Sequence, residues 1–374
     1  MTLCCFLQRL IVVGQSFPGV ENEFNWRRRH CRRNMTRMNN LRAMRIRQPA
    51  GLDNLYLGSA IPLAPGPGEI RVRLRAAALN FRDGLVAKGV FPAADGLIPL
   101  SDGAGEVVET GPGVAAFAPG DAVVSVFHTV WADGHIERSQ LTASPGGGAD
   151  GFACDFVTRP AVHFTRAPAG LTHQEAATLT CAGVTAWRAL VDGPVLPGAR
   201  VLVQGTGGVS LFALQFAKAA GATVIATSSS AEKLARLKEL GADHVINYRE
   251  EPKWGAAVLE LTGGLGVDHI IEVGGPNTLA QSLQAARTGA HIAIIGAVAG
   301  FTNDTMPFAL VQAKRLRLQG VTVGSRADQM NMIRAIEANG IKPVLDRVFP
   351  LEALAEALRY QDTGQHFGKI GIEI

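Results

Sequence analysis

The chain has 374 residues, 47% of them hydrophobic and 18% charged, with a formal net charge of +4. That is enough chain for two domains with cores of their own, and its five cysteines are too few and too unevenly placed for a disulfide framework. The positive sign is local: residues 1–47 carry ten arginines against Glu21 and Glu23, a net +8 that leaves −4 for the rest, so no nucleic-acid partner is expected.

Residues 1–43 follow no helical or strand periodicity and are expected to be a disordered extension, with Met35, Met38 and Met44 as candidate starts of the folded protein. The alternative for the Arg-rich run over 26–47 is a mitochondrial transit segment. Three cysteines (Cys4, Cys5, Cys31) fall in this tail, leaving Cys154 and Cys181, so the body reads as a protein of a reducing compartment, the cytoplasm. The apolar run over 10–13 is too short to span a membrane, and no membrane partner is expected.

From Met44 the sequence predicts strands over 68–78, 103–110 and 122–127, separated by Gly/Pro turns at 64–68 and 111–113. A Gly-rich loop over 144–151 then leads to a strand over 152–157. The texture changes near Leu171. A helix is expected over 172–190, opened by Thr172 and Glu175 in capping-box spacing. Strands over 200–204, 223–227, 244–246, 269–273, 291–295 and 318–323 then interleave with helices over 208–220, 231–240, 254–262 and 277–286, which is the pattern of a doubly wound parallel sheet. A helix over 351–362 and a strand over 369–374 break this rhythm, and the segment is expected to return to the first domain.

The strongest motif is Gly205-Thr206-Gly207-Gly208-Val209-Ser210, set between an apolar strand and a helix. Glycines there let the backbone bend tightly and approach a pyrophosphate, whose charge the helix N-terminus favours; this is the strand-turn-helix context of a nicotinamide dinucleotide site. An acidic residue about 20 positions on would bind the ribose hydroxyls of NAD. This chain has Thr227, Ser228, Ser229 and Ser230 instead, with Lys233 one turn later, a set suited to the 2′-phosphate of NADPH. One of the serines is also expected to cap the following helix.

Several ordered blocks, among them Ala78-Leu79-Asn80-Phe81-Arg82-Asp83, Gly103-Ala104-Gly105-Glu106, Pro119-Gly120-Asp121, Leu240-Gly241-Ala242-Asp243 and Phe367-Gly368-Lys369, resemble the medium-chain dehydrogenase/reductase superfamily over residues 44–374, in particular its zinc-free quinone oxidoreductase-like and alcohol dehydrogenase-like branch. The resemblance implies an α/β protein: a GroES-like β-barrel catalytic domain formed by 44–182 and 326–374, and a Rossmann NADP-binding domain over 183–325. It implies that Asn80 lines the nicotinamide and substrate cleft, that Thr185 and Tyr248 contact the cofactor, that Val273, Gly274, Gly275, Ile295 and Gly296 run along it, and that Phe367, Gly368 and Lys369 close over it. A homodimer follows from the family and from a strand expected to be exposed near His291 to Val298.

Zinc-dependent relatives place Cys, His and Cys where this chain has Asn80, Ser101 and Cys181. Asn and Ser are weak zinc donors, and a loop scatter of His128, Asp133, His135 and His163 is expected to lie at the surface, so no metal is expected. The expected function is NADPH-dependent hydride transfer to a quinone or α,β-unsaturated carbonyl, with Asn80 or Ser101 donating a hydrogen bond to the acceptor oxygen and Asp83 and Asp102 orienting their neighbours. The alternatives are an alcohol dehydrogenase or ketone reductase, and a nucleotide-binding protein with little catalysis. Cys181 reads as a small buried hydrophobe or as a reactive thiol at the cleft edge. The substrate pocket is expected from residues 90–99, 127–144 and 301–308.

Overall fold

The computed structural model describes residues 41–60, 63–141, 144–300 and 306–374. The expected extension over 1–40 lies outside the described residues, with Met35 and Met38; so do 142–143 and 301–305 of the expected pocket. The strands are β1 (Arg42–Ile46), β2 (Leu55–Ser59), β3 (Glu69–Ala78), β4 (Asp102–Thr110), β5 (Ala122–Ser125), β6 (Phe156–Pro160), β7 (Phe164–Arg166), β8 (Arg200–Gln204), β9 (Thr223–Ser228), β10 (His244–Asn247), β11 (Val267–Glu272), β12 (Ala286–Ile294), β13 (Arg317–Gly320), β14 (Leu345–Pro350) and β15 (Lys369–Glu373).

Six of them form a parallel sheet in the order β10-β9-β8-β11-β12-β13. Counted within this domain the order is 3-2-1-4-5-6, so the chain reverses direction between β8 and β11, and a crevice opens beyond their carboxyl ends. The reason this strand set forms a central sheet is visible in β8: Val201 and Val203 pack into one apolar cluster, Leu202 into the cluster on the opposite face, and all three are fully buried. Both faces are covered by helices, as a parallel sheet requires.

The second sheet runs β14-β15-β3-β4-β5-β7, with β6 also on β3. Here β15 pairs antiparallel with β3 and β14 lies parallel to β15, so the C-terminal segment does complete the first domain. Three local expectations are corrected. Among the described residues the first strand begins at Arg42, ahead of the expected boundary at Met44: Ala43 is buried in β1, and the Arg42 backbone N–H donates to the Asp155 carboxylate at 2.6 Å while its guanidinium pairs with Asp155 and Glu352. The strand expected over 152–157 begins only at Phe156. The strand near His291 is interior, paired on both sides, and the sheet edge is β13.

The expected helix over 172–190 is divided in three. His173–Ala177 opens with the Thr172–Glu175 capping box, Leu179–Gly183 is a π turn, and Val184–Val191 resumes the α-helix. Polar anchors hold the wide turn: the Thr180 hydroxyl donates to the Ser125 carbonyl at 2.9 Å, and the Cys181 N–H donates to Asp102 at 3.3 Å.

Glycine is required in β4 for a packing reason. The β3–β4 register shifts between Leu74 and Ala76, opposite Gly105, and a Cβ at Gly105 would lie 2.0 Å from the Arg73 carbonyl oxygen. The clash is with backbone, so the strands must separate to admit a methyl group. Gly105→Ala is therefore expected to destabilise the protein by about 1–3 kcal/mol, read as a lowered denaturation midpoint; an unchanged midpoint would show that the two strands are not in this register.

Candidate functional site

The glycine turn lies at the carboxyl end of β8. Gly205 has φ of 71° and its N–H donates to the Thr227 carbonyl at 2.9 Å, holding the turn against β9. A Cβ on Gly205 or Gly207 would meet nothing within 4 Å, so this side of the turn faces open space. Gly207 caps the helix Gly208–Ala219 without a side-chain acceptor, which leaves the helix N-terminus directed at that space. Ser210, in the position of a third fingerprint glycine, is buried and donates to the Gln204 carbonyl at 2.6 Å. Val209 packs against the core and Thr206 is buried.

Gly208 faces the other way. A Cβ there would lie 2.5 Å from Cδ of Lys369 and 3.2 Å from the Ala182 methyl. The neighbouring Gly368 N–H donates to the Thr206 carbonyl at 2.8 Å, and Gly207 and Gly368 form a β-bridge. The C-terminal segment thus crosses beneath the phosphate-type turn. Phe367 is buried, with the Arg236 guanidinium 3.9 Å above its ring, a contact that no sequence pattern announces.

At the end of β9, Ser228 is buried, Ser229 is partly exposed, and Ser230 caps the helix Ala231–Glu239 by accepting from the Lys233 N–H. The Lys233 ammonium donates to the carbonyls of Gly364 at 2.7 Å and His366 at 2.8 Å, and burial lowers its pKa from the ordinary lysine value. Tyr248 is 41% exposed, and its N–H donates to the Ser228 carbonyl. Thr185 is buried in the first turn of Val184–Val191.

Across the crevice, Glu272 organises the Val273-Gly274-Gly275 turn, and sequence reasoning missed it. The residue is fully buried, and its carboxylate accepts from the Gly274 and Gly275 N–H groups at 2.9 Å, Thr278 Oγ1 at 2.6 Å, Ser282 Oγ at 2.5 Å and Gln204 Nε2 at 2.8 Å. Five donors on one carboxylate compensate its loss of water. The Ile295 N–H donates to the Glu272 carbonyl, so both cofactor-side loops hang from this residue, and Gly296 follows in the same loop. A cavity of about 350 Å³ lies behind this turn, between the helix Pro276–Ala285 and Ile294, Gly296, Ala297, Met306 and Pro307.

The floor of the cleft gathers Asn80, Ser101, Asp102, Cys181 and Lys369. The Lys369 ammonium, 4% exposed, donates to the Leu79 carbonyl at 2.5 Å and to Asn80 Oδ1 at 2.6 Å, and lies 3.8 Å from Asp102 Oδ2. Asn80 Nδ2 donates to Ser101 Oγ at 3.3 Å, and Ser101 donates to Asp102 Oδ1 at 2.7 Å. The single Ser101 hydrogen is therefore committed to Asp102, and the second Asn80 N–H is the donor left for a ligand. Burial, with Asp102 adding to it, pushes the Cys181 thiol up, so it stays protonated. Asp83 accepts the Asn80 N–H at 2.8 Å and pairs with Arg82 at 3.3 Å. His128, expected at the surface, is buried and its Nε2 lies 3.1 Å from the Thr322 carbonyl.

Two family models match the chain: the alcohol dehydrogenase GroES-like domain over residues 66–169 and zinc-binding dehydrogenase over 208–338. A zinc-type alcohol dehydrogenase-like protein of Schizosaccharomyces pombe is 44% identical over 322 residues, 84% of this chain and 93% of the relative. Among solved structures, a putative alcohol dehydrogenase of Sinorhizobium meliloti is 40% identical with a TM-score of 0.84, covering 89% of this chain and 98% of that one. A structure described as an NAD-dependent alcohol dehydrogenase is 37% identical with a TM-score of 0.82, covering 89% and 99%. The chain belongs to the alcohol dehydrogenase-like medium-chain dehydrogenase/reductase family, with a GroES-like domain and a Rossmann-type domain, and is an oxidoreductase of that family. Among the described residues no helix is long and apolar enough to cross a membrane.

The family's zinc does not fit this floor. Among the described residues no three His, Cys, Asp or Glu side chains are grouped to hold a metal. The donors that do converge are an amide already bound to an ammonium, a hydroxyl donating to a carboxylate and a thiol kept neutral by burial. A divalent ion would have to displace the Lys369 charge.

Asp83 gives this site a measurable pH signature. Burial pushes its carboxyl up to about 6; the Arg82 guanidinium opposes the shift and Asp102 adds to it. An unfolded aspartate titrates near ~4. The native state therefore holds the proton more tightly, and stability falls as pH rises from about 4 to about 6, by about 3 kcal/mol in all. Asp83→Asn removes this titration, so urea unfolding should show its stability relative to wild type rising by about that amount between pH ~4 and ~7. A pH-independent difference would mean that another group titrates.

Proposed function

We propose that this oxidoreductase passes a hydride from NADPH to a quinone or an α,β-unsaturated carbonyl compound, without zinc, and acts as a homodimer. The observation that carries the reading is the cleft floor, where an oriented amide donor and a buried ammonium converge and, among the described residues, no three His, Cys, Asp or Glu side chains do. Alcohol oxidation needs a base to take the hydroxyl proton and a metal to stabilise the alkoxide, whereas an activated enone needs its oxygen hydrogen-bonded and its β-carbon held near the nicotinamide. When bound, the cofactor supplies the hydride. Gly205 to Val209 and the helix N-terminus take its pyrophosphate, Val273 to Gly275 with Ile295 and Gly296 line it, and Asn80 Nδ2 donates to the acceptor oxygen. Ser101 and Asp102 hold Asn80 in place.

NADPH is favoured by the hydroxyls of Thr227, Ser228 and Ser229 where a carboxylate would repel the 2′-phosphate. A second reading, an NAD-dependent alcohol dehydrogenase, is favoured by the commitment of Lys233 to the Gly364 and His366 carbonyls and by the name of the 37% identical structure. Dissociation constants for NADPH and NADH separate the two, with NADPH expected to bind at least about tenfold more tightly, a difference of about 1.4 kcal/mol; equal binding would favour the second. Steady-state turnover with NADPH and a panel of enones and quinones is expected, and Asn80→Ala should lower kcat by about 10²–10³-fold, the usual consequence of losing one oxyanion donor. Alcohol-driven cofactor reduction with no enone turnover would overturn the reductase reading.

A further inference from the structure

We propose that the Lys369 ammonium, rather than a metal ion, is the resident cation of the active-site floor, lying against Asn80 and Asp102 and fixing the Asn80 amide so that its N–H faces the acceptor. This rests on the reductase reading of the cleft and extends it to a residue that no sequence motif assigns to the chemistry.

Both the backbone and the stem of Lys369 are held. Its backbone is fixed at the start of β15, where its N–H donates to the Val344 carbonyl at 2.9 Å and the adjacent Gly368 N–H to Thr206. Its stem runs under Gly208, where a Cβ would already be 2.5 Å from Cδ. From there the ammonium reaches the Leu79 carbonyl, Asn80 Oδ1 and Asp102.

The charge sets the amide's direction. Asn80 Oδ1 accepts from the ammonium at 2.6 Å, so a flipped amide would set two donors against each other. The unflipped amide places Nδ2 on Ser101 and leaves its second hydrogen for a ligand. A buried positive charge one amide away from the acceptor oxygen also stabilises the negative charge that grows there during hydride transfer, and it is fixed before the reaction begins. Asp102 balances the ammonium from below while its other oxygen accepts from Ser101, so the lysine, amide, hydroxyl and carboxylate form one closed array. Lys369 is thus a positioning residue acting through Asn80, and its methylene stem is separately a support for the glycine turn.

Lys369→Met separates these roles because the thioether keeps the stem and removes the charge. The expected result is an NADPH dissociation constant within about threefold of wild type, kcat on an enone lowered by at least about 100-fold with little change in KM, and at least about tenfold recovery in Lys369→Arg. A Met variant within about fivefold of wild-type kcat would overturn the proposal, as would a loss confined to cofactor affinity. A Co²⁺ titration tests it independently of turnover and of that variant's folding: wild type is expected to show no thiolate-to-cobalt absorption band. A stoichiometric band that disappears in Cys181→Ser would overturn it. If wild type reduces no acceptor yet excludes cobalt, and Lys369→Met admits it, the reductase reading fails and the lysine assignment stands.

Discussion

The passage of the C-terminal segment beneath the glycine turn is the contact on which the rest of the site depends. One backbone hydrogen bond, Gly368 N–H to the Thr206 carbonyl, ties the last strand of the first domain to the dinucleotide turn of the second. Glycines on both sides let the segments approach this closely. A Cβ on Gly368 would lie 2.3 Å from the Val344 carbonyl oxygen, and one on Gly208 would displace Lys369. With the turn fixed from below, its open side presents the helix N-terminus, and the same segment sends one ammonium into the cleft. Cofactor turn and reaction floor are therefore two faces of a single crossing.

The electrostatics of the floor follow from burial. Asp83 and Asp102 are fully buried, and Arg82 and Lys369 are the cations that face them. Paired charges out of water hold only when each also finds hydrogen bonds, and each does: Asp83 takes the Asn80 N–H, Asp102 takes Ser101 and the Cys181 N–H, and Arg82 reaches the Pro145 carbonyl and Ser144. The arrangement fixes Asn80 from three directions. It also accounts for the π turn, whose widened backbone brings the Cys181 N–H to Asp102.

Much of the Rossmann-type half was legible because its signals are local. Strands such as β8 alternate between two buried faces over a few residues, and the helix after the turn is marked by its glycines, so their limits agree with expectation to within a residue or so. The first domain was harder to read. β1, β2 and β14 are short, partly exposed strands whose pairing is set by distant partners, and the helices Phe81–Ala87 and Arg326–Asn339 carry weak apolar patterning. At the candidate site, motif context singled out Asn80 and the glycine turn, which Lys369 links in the folded chain. The part played by Glu272 was not legible, because a buried carboxylate is recognised by its donors, and Gln204, Thr278 and Ser282 come together only in the folded sheet. Lys369 was assigned to the cofactor by resemblance, while its distance from Asn80 is a tertiary fact.

Lys233 shows why residue type alone underdetermines cofactor choice. An ammonium one turn past the serines suits a 2′-phosphate, yet in the folded chain it holds two carbonyls of the loop before Phe367, with Arg236 stacked on that ring one turn later. The helix Ala231–Glu239 is thereby bound to the C-terminal segment, so the serine-rich end of β9 and the segment that carries Lys369 are mechanically joined. A phosphate arriving at Ser228 and Ser229 would compete with neutral carbonyls for the ammonium, adding a Coulombic attraction between full charges that a carbonyl dipole does not supply. Any movement of Lys233 toward the phosphate would loosen the loop that leads into Phe367, Gly368 and Lys369. In this fold, the packing of the serine-rich end of β9 and the geometry of the floor around Lys369 are therefore parts of the same problem.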